Sequence, residues 1–360
     1  MMTWNEVHQL ILKMDKELQS ATSSKNIAIF GACFYGRVAL DYLKSNGFNV
    51  LCFSDNDINK HGKKIEGINI VSPQQLKELH PDMVFITAHH FITQIKKHLG
   101  EMNIPNISFG AYHAAKHEKE LLNVRNNLLS DCKSQIIYEL FIKTLLSDKK
   151  QYCVEAMDDG LQYFTLPPFR NKSFCYVDAG AYVGDTIENF LFVNNGNFNH
   201  IYAFEPCVPK FQSMTTRMKR LVEEWNLNPE KISLLPAGLG KENKQSPLAF
   251  LNTDGTTFLF SNNEKETIVP VVTLDKFLNG EPATLIKADI EGMEMDMLIG
   301  ATETIKKFKP HLAISIYHCP EDLYRIAEFI KSLVPEYKMA ARLHAPWLVD
   351  LVLYCWIPEN

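Results

Sequence analysis

Two apolar runs that each end in an acid constrain this chain most. Phe174-Cys175-Tyr176-Val177 runs into Asp178, after which Gly180 and Gly184 punctuate a turn and a helical pattern opens near Asp185-Thr186. Ile201-Tyr202-Ala203-Phe204 ends at Glu205-Pro206. Short apolar runs bounded by glycine and followed by helical periodicity read as parallel strands of an α/β sheet. Glycine lets a backbone turn sharply and approach a ligand. A carboxylate ending the next strand can accept both hydroxyls of a ribose. Together the two runs predict a sheet that holds a nucleoside. The bland alternative is a plain strand, turn and helix with a solvated Glu205.

More strands follow at the spacing such a sheet needs. The pattern predicts strands at 174–178, 201–205, 232–236, 284–289 and 311–316, a helix at 321–333, and a closing pair near 337–343 and 350–356. Three short β-like runs between 246 and 272 form an insertion before Leu274-Asp275. The order of the first turn, D-x-G-x-x-x-G from Asp178 to Gly184, differs from a dinucleotide fingerprint because the acid comes first.

The 360 residues are too many for one ordinary core and suit two α/β domains. Asn26–Phe30, Val50–Phe53 and Met83–Thr87 alternate with helical patterns, one begun by Ser72-Pro73, and Ile107–Gly110 reads as the last strand of this unit. Residues 3–20 read as an amphipathic helix whose stripe of Trp4, Val7, Leu10, Ile11, Met14 and Leu18 covers a core or a partner. Residues 114–147 read as two linking helices and 152–169 as irregular. The expected division is 1–112, a Rossmann-like domain, 113–170, a helical linker, and 171–360, the nucleoside-holding domain.

A formal net charge of −5 without a Lys/Arg block argues against nucleic acid or an anionic membrane as partner. The N-terminus lacks the uninterrupted apolar core of a signal peptide, and no run is long enough for a membrane span. Eight cysteines without a C-x-x-C pair read as reduced thiols. These features point to a cytoplasmic protein, with homo-oligomerisation open.

Lys287-Ala288-Asp289-Ile290-Glu291-Gly292 and Ile314-Ser315-Ile316-Tyr317-His318 complete a set of landmarks with the Asp178 loop, Phe204-Glu205-Pro206 and Thr273-Leu274-Asp275. In this order they resemble the FkbM family of S-adenosylmethionine-dependent methyltransferases, over about 170 to 356. The resemblance implies a class I methyltransferase fold, a seven-stranded Rossmann-like sheet, preceded here by the smaller α/β domain. It implies methyl transfer from S-adenosylmethionine, usually to a hydroxyl of a sugar or other small metabolite. Matched by position, Asp178, Gly180, Ala181, Tyr182 and Gly184 would cradle the amino-acid part of the cofactor. Glu205 and Pro206 would meet the ribose, and Ala237 would lie near the adenine. Family members often carry Asn where Tyr182 stands.

Asp289 and Glu291, two apart, would point the same way from an extended segment. They would position acceptor and sulfonium, bind a hard cation with His318, or, for Glu291, cap a helix beginning at Gly292. His318 is the expected general base, since its ordinary pKa is near neutral. A buried, hydrogen-bonded histidine is the alternative. His344, with Arg342 and Trp347 nearby, is a weaker candidate for the acceptor pocket. Tyr182, Phe204 and Tyr317 could face the sulfonium or simply wall the pocket.

Gly31-Ala32-Cys33-Phe34-Tyr35-Gly36 resembles G-x-G-x-x-G, with Cys33 in place of the second glycine, and Asp55 stands where a ribose-binding acid would be. This turn could bind a nucleotide-sugar or NAD, or be a ligand-free docking unit. The competing functions are therefore a binding or scaffold protein with a non-catalytic methyltransferase fold, and an NAD enzyme acting through the first domain.

Overall fold

The computed structural model describes residues 4–19, 26–88, 91–250, 257–258 and 267–358. The first sheet has six strands: β1 (Asn26–Phe30), β2 (Asn49–Ser54), β3 (Lys64–Ile65), β4 (Ile68–Val71), β5 (Met83–Ile86) and β6 (Asn106–Ser108). Their spatial order is β3-β4-β2-β1-β5-β6, parallel except for the β3–β4 hairpin. In sequence this stretch, with Gly62 and Gly67, has the pattern of a loop. Its turn is Glu66-Gly67, both at positive φ, the pairing that a two-residue hairpin turn requires. The expected last strand stops at Ser108, whose hydroxyl accepts from Ala111 N and caps the helix Phe109–Lys116.

The second sheet has seven strands. β7 (Phe174–Ala179), β8 (Phe198–Phe204) and β9 (Ile232–Leu235) come first in the chain. A smaller sheet of β10 (Gly238–Leu239), β11 (Lys244–Phe250), β12 (Thr257–Phe258) and β13 (Thr267–Val272) interrupts, as the three β-like runs anticipate. β14 (Leu285–Ala288), β15 (His311–Ser315), β16 (Lys338–Leu343) and β17 (Leu351–Trp356) complete the seven. The order is β16-β17-β15-β14-β7-β8-β9, with only β17 antiparallel to its neighbours. β7 and β14 are central and side by side, so the order reverses there. In open α/β sheets ligands bind outside the carboxyl ends of the strands at such a point. All residues of β7 and β14 are buried, the near-continuous apolar reading of a two-face-covered parallel strand. Asp178 and Lys287 break that rule.

The stretch expected as a two-helix linker is built differently. Helices Phe109–Lys116 and Glu118–Asn123, a π-turn at Val124–Leu128, and the helix Cys132–Ser147 follow one another. The last of these buries Ser134 and every residue from Ile137 to Leu146, so it is a core helix rather than a solvated connector. Its Ser134 hydroxyl accepts from Ala341 N (3.0 Å) and from Arg342 Nη1 (2.7 Å), tying it to β16. The N-terminal helix, Asn5–Gln19, lays Val7, Ile11 and Met14 into the core, and Lys143 Nζ donates to Glu6 Oε2. A short helix, Gln151–Ala156, opens the segment expected to be irregular. Among the described residues, no helix is long and apolar enough to cross a membrane.

Candidate active site

The pocket opens at the carboxyl ends of β7, β8 and β14. At Gly180 the chain turns with φ +77, and a Cβ there would collide with the carbonyl oxygen of Asp289. Only glycine allows this approach between the ends of β7 and β14. Gly180 N and Ala181 N both donate to Phe204 O at 3.0 Å. Tyr182 adopts φ 49, uncommon for a bulky residue, and its N–H donates to Glu205 Oε2 (3.0 Å). Gly184, φ 80, then starts the helix Asp185–Val193.

Glu205 is 5% exposed and stands on the pocket wall. Its Oε1 accepts from Cys207 N at 2.8 Å. Burial pushes its carboxyl up, with the two backbone N–H groups and Lys210 opposing. A carboxylate has about four acceptor positions; two are used, so two remain for ligand hydroxyls. Pro206, Phe204, Ala237, Gly238 and Leu239 continue this wall, and Lys210 lies at its edge with Nζ 4.7 Å from the Tyr182 ring centre.

Asp289, Ile290 and Glu291 form the opposite wall. Their segment is a turn, not an extended strand: Glu291 and Gly292 have φ 57 and 95. Two left-handed residues nonetheless bring both carboxylates to one imidazole. His318 Nε2 lies 3.4 Å from Asp289 Oδ1 and 3.5 Å from Glu291 Oε2, and its Nδ1 lies 3.0 Å from Glu294 Oε1. The last approach is a charge contact rather than an aligned hydrogen bond. Tyr163 donates to Asp289 Oδ2 (2.7 Å) and Tyr317 to Oδ1 (3.3 Å). Glu294, not Glu291, braces the turn, accepting from Ile290 N (2.7 Å) and Gly292 N (3.0 Å). The next helix begins at Glu294, so no helix starts at Gly292 for Glu291 to cap.

These contacts set the charges. Burial alone would lower His318, but Glu294, then Asp289 and Glu291, lift it to about 10. It is an imidazolium at neutral pH, and an imidazolium cannot accept a proton. The expected base is therefore a cation that binds carboxylates. Burial raises Glu291 to about 7, with His318 partly opposing. Burial also acts against Asp289, but the His318 and Lys287 charges and the Tyr163 hydroxyl together hold it below its ordinary range.

Asp289, Glu294 and His318 could each offer a ligand atom within 4.8 Å of one another, so Glu294 replaces Glu291 in the cation site considered from sequence. Glu294 already accepts from two backbone N–H groups, Ile290 N and Gly292 N, which occupy part of its acceptor capacity.

Asp178 is fully buried and does not line the pocket; its Oδ1 is 3.1 Å from Lys287 Nζ. Lys287 also donates to Ala179 O (3.1 Å) and Gly180 O (2.6 Å), stitching the turn from below. Burial opposes its charge, but Asp178 and Asp289 outweigh that and raise its pKa. The expected cofactor contact of Asp178 is thus replaced by a buried ion pair under the loop. Ala181 and Gly184 likewise shape the turn without lining the pocket. Sequence reasoning missed Lys287, Glu294 and Lys210. A lysine inside the apolar run Leu285–Ala288 was the available signal for the first; the others carried none. His344 bonds to the Tyr354 hydroxyl (3.0 Å), and Arg342 to Ser134 and Asp158. Both belong to the β16–β17 edge, and Trp347 packs against the core.

The first glycine-rich turn differs in the same terms. Asp55 accepts from Ala32 N (2.9 Å), Lys60 Nζ (3.0 Å) and Asp57 N (2.9 Å). Three of its four acceptor positions are filled by the chain, which leaves one for a ligand hydroxyl, against two at Glu205.

Residues 178–337 match the model of the methyltransferase FkbM domain, and residues 23–108 that of a family described as C2185-like, N-terminal. Among solved structures, the methyltransferase FkbM from Methylobacillus flagellatus KT superposes with a TM-score of 0.56 at 22% identity, over 94% of this chain and 93% of that one. UDP-D-quinovosamine 4-dehydrogenase from Vibrio fischeri has 24% identity over 23% of this chain and 75% of its own, TM-score 0.21. A putative rRNA-methylase from Clostridium thermocellum has 12% identity over 53% and 90%, TM-score 0.34. No curated protein matches the chain. The FkbM likeness thus rests on a family match across the β7-to-β15 landmarks and on a fold shared over nearly the whole length, and the chain carries a methyltransferase domain of the FkbM family.

Proposed function

We propose that this protein moves the methyl group of S-adenosylmethionine to a hydroxyl of a sugar or glycan-related small molecule. The pocket between Glu205 and Glu291 is the site. The observation that carries this reading is the state of Glu205: a buried carboxylate at a strand end, on the pocket wall, with two acceptor positions left for a pair of hydroxyls. The other lining fits the same cofactor. The Gly180 backbone is bare toward the pocket, and Phe204, Ala237 and Leu239 offer an apolar face for a base.

When bound, S-adenosylmethionine supplies a sulfonium-activated methyl group. The protein's own residues orient the acceptor and move its proton. Glu291, with its carboxyl near 7, is the general base. It takes the hydroxyl proton as the acceptor oxygen becomes nucleophilic, then releases that proton to water. His318 holds Asp289 and Glu291 in place as a cation, and Asp289 keeps one face toward the pocket to hold an acceptor hydroxyl. The family resemblance supports a carbohydrate acceptor, and carboxylates that accept from hydroxyls are compatible with one.

Calorimetry tests the reading. Wild-type protein should bind S-adenosylmethionine, and Glu205→Ala should weaken binding about 10- to 100-fold, the loss of charge-assisted hydrogen bonds. A wild-type protein that binds no S-adenosylmethionine would overturn it.

A further inference from the structure

Phe34 of the first glycine-rich turn lies against the turn that carries Glu291, and its neighbour Tyr35 faces the residues that flank His318. Phe34 opens the helix Phe34–Ser45. A Cβ built on Gly292 would lie 2.5 Å from its Cζ and 2.6 Å from its Cε1. Tyr35, 7% exposed, shares a cavity wall with Tyr317, Cys319 and Pro320, which flank His318 in the chain. Phe34 lines a second cavity with Phe109, Gly292, Cys319 and Pro320.

We infer that Phe34 is a positioning residue for the methyl-transfer site: its ring, wedged against Gly292, fixes the Glu291–Gly292 turn and with it the seat of Glu291 beside His318. The inference rests on the reading of Glu291 as the base. A left-handed glutamate is strained and persists only where its surroundings hold it. Glu294 holds this turn from one side through two backbone N–H groups. Phe34 holds it from the other. Gly292 is glycine twice over, for its φ of 95 and because the ring occupies the space a side chain would need. The local build of the first turn serves the same end. A Cβ at Gly36 would strike the carbonyl oxygen of Gly31, so the glycines let helix and strand end pack closely and bring Phe34 forward. Asp55 fastens the turn from behind through Ala32 N. The turn that resembles a phosphate cradle thus works as a wedge between the two sheets.

The experiment uses the full chain and reads the titration of His318 by NMR. Asp289, Glu291, Glu294, Asp322 and Asp350 act on this imidazole. Phe34→Ala should lower its pKa by about one unit, tenfold in proton affinity, as Glu291 moves away. Phe34→Leu should retain most of the wild-type value. Gly292→Ala, which drives the ring off, should give a similar drop. The double variant should fall no further than the larger single change, since both release one contact. Wild-type titration in Phe34→Ala, with only thermal stability reduced, would overturn the inference. If Phe34→Ala does not fold, an unchanged titration in Gly292→Ala would overturn it equally. Calorimetry with S-adenosylmethionine separates the two readings. A His318 shift in a protein that binds none of it sinks the methyl-transfer reading and leaves the wedge standing.

Discussion

Glu291 and His318 exchange the roles their model chemistry suggests, because each is defined by what surrounds it. A histidine among three carboxylates keeps its proton; a glutamate buried beside it is lifted toward neutrality. Glu291→Gln should therefore lower turnover about 10²–10⁴-fold. It should also abolish a rise of kcat/KM through pH 7, measured as transfer of a tritiated methyl group to candidate sugars. The His318 shift has a stability consequence. Its folded pKa of about 10 exceeds the ordinary 6.5, so its contribution is complete below 6.5 and is lost as pH rises through 10. Thermal midpoints measured from pH 6 to 10 should fall over that window. In His318→Gln stability at neutral pH should already be low, because the carboxylates then face one another uncompensated, and the part of the fall that runs on toward pH 10 should vanish. At this scale the sequence placed Asp289 and Glu291 after one strand and His318 after the next; that they meet is a finding of the structure. Nor did the sequence tell their protonation, which depends on burial and on Glu294, a residue with no distinguishing signal.

The strand-ending turns hold their ligand-facing atoms by packing against each other. Gly180 sits against Asp289, and Lys287 in β14 reaches beneath β7 to Asp178. Lys287→Met leaves a buried carboxylate without its counter-charge and should cost about 3–5 kcal/mol in urea unfolding. Adding Asp178→Asn should recover much of that loss, because the unpaired charge is then gone. Gly180→Ala should lower urea stability, because its Cβ has no room against the Asp289 carbonyl, and should also weaken S-adenosylmethionine binding by calorimetry, since the displaced backbone lines the pocket. The strands themselves were legible: β7, β8, β9 and the β14-to-β17 run lie within about three residues of their expected bounds. Apolar runs between glycines and acids carry that information locally. The β3–β4 hairpin was not legible, as each strand is too short to show a period.

Across the molecule, the helix Cys132–Ser147 is buried almost throughout and fastened to β16, while the helix Asn5–Gln19 lies on it. The Asp158 carboxylate anchors this layer by accepting from Lys133 (2.6 Å) and Thr165 (2.7 Å). Burial would raise it, but these bonds hold it at about 2. Its stabilisation is present above its ordinary 3.8 and is lost as pH falls through 2. Asp158→Asn should flatten the acid limb of the stability profile between pH 4 and 2. By itself, the sequence determined the two α/β patterns, the strand-end acids and the family of the second, because these are properties of local runs and their order. Only the tertiary structure decided which acid meets the pocket and which is buried under it. It alone decided that the histidine is a cation, and that Phe34 of one glycine-rich turn stands against Gly292 of the other sheet. Those facts come from distances between segments far apart in the chain, where burial and neighbouring charge, not residue type, set the chemistry.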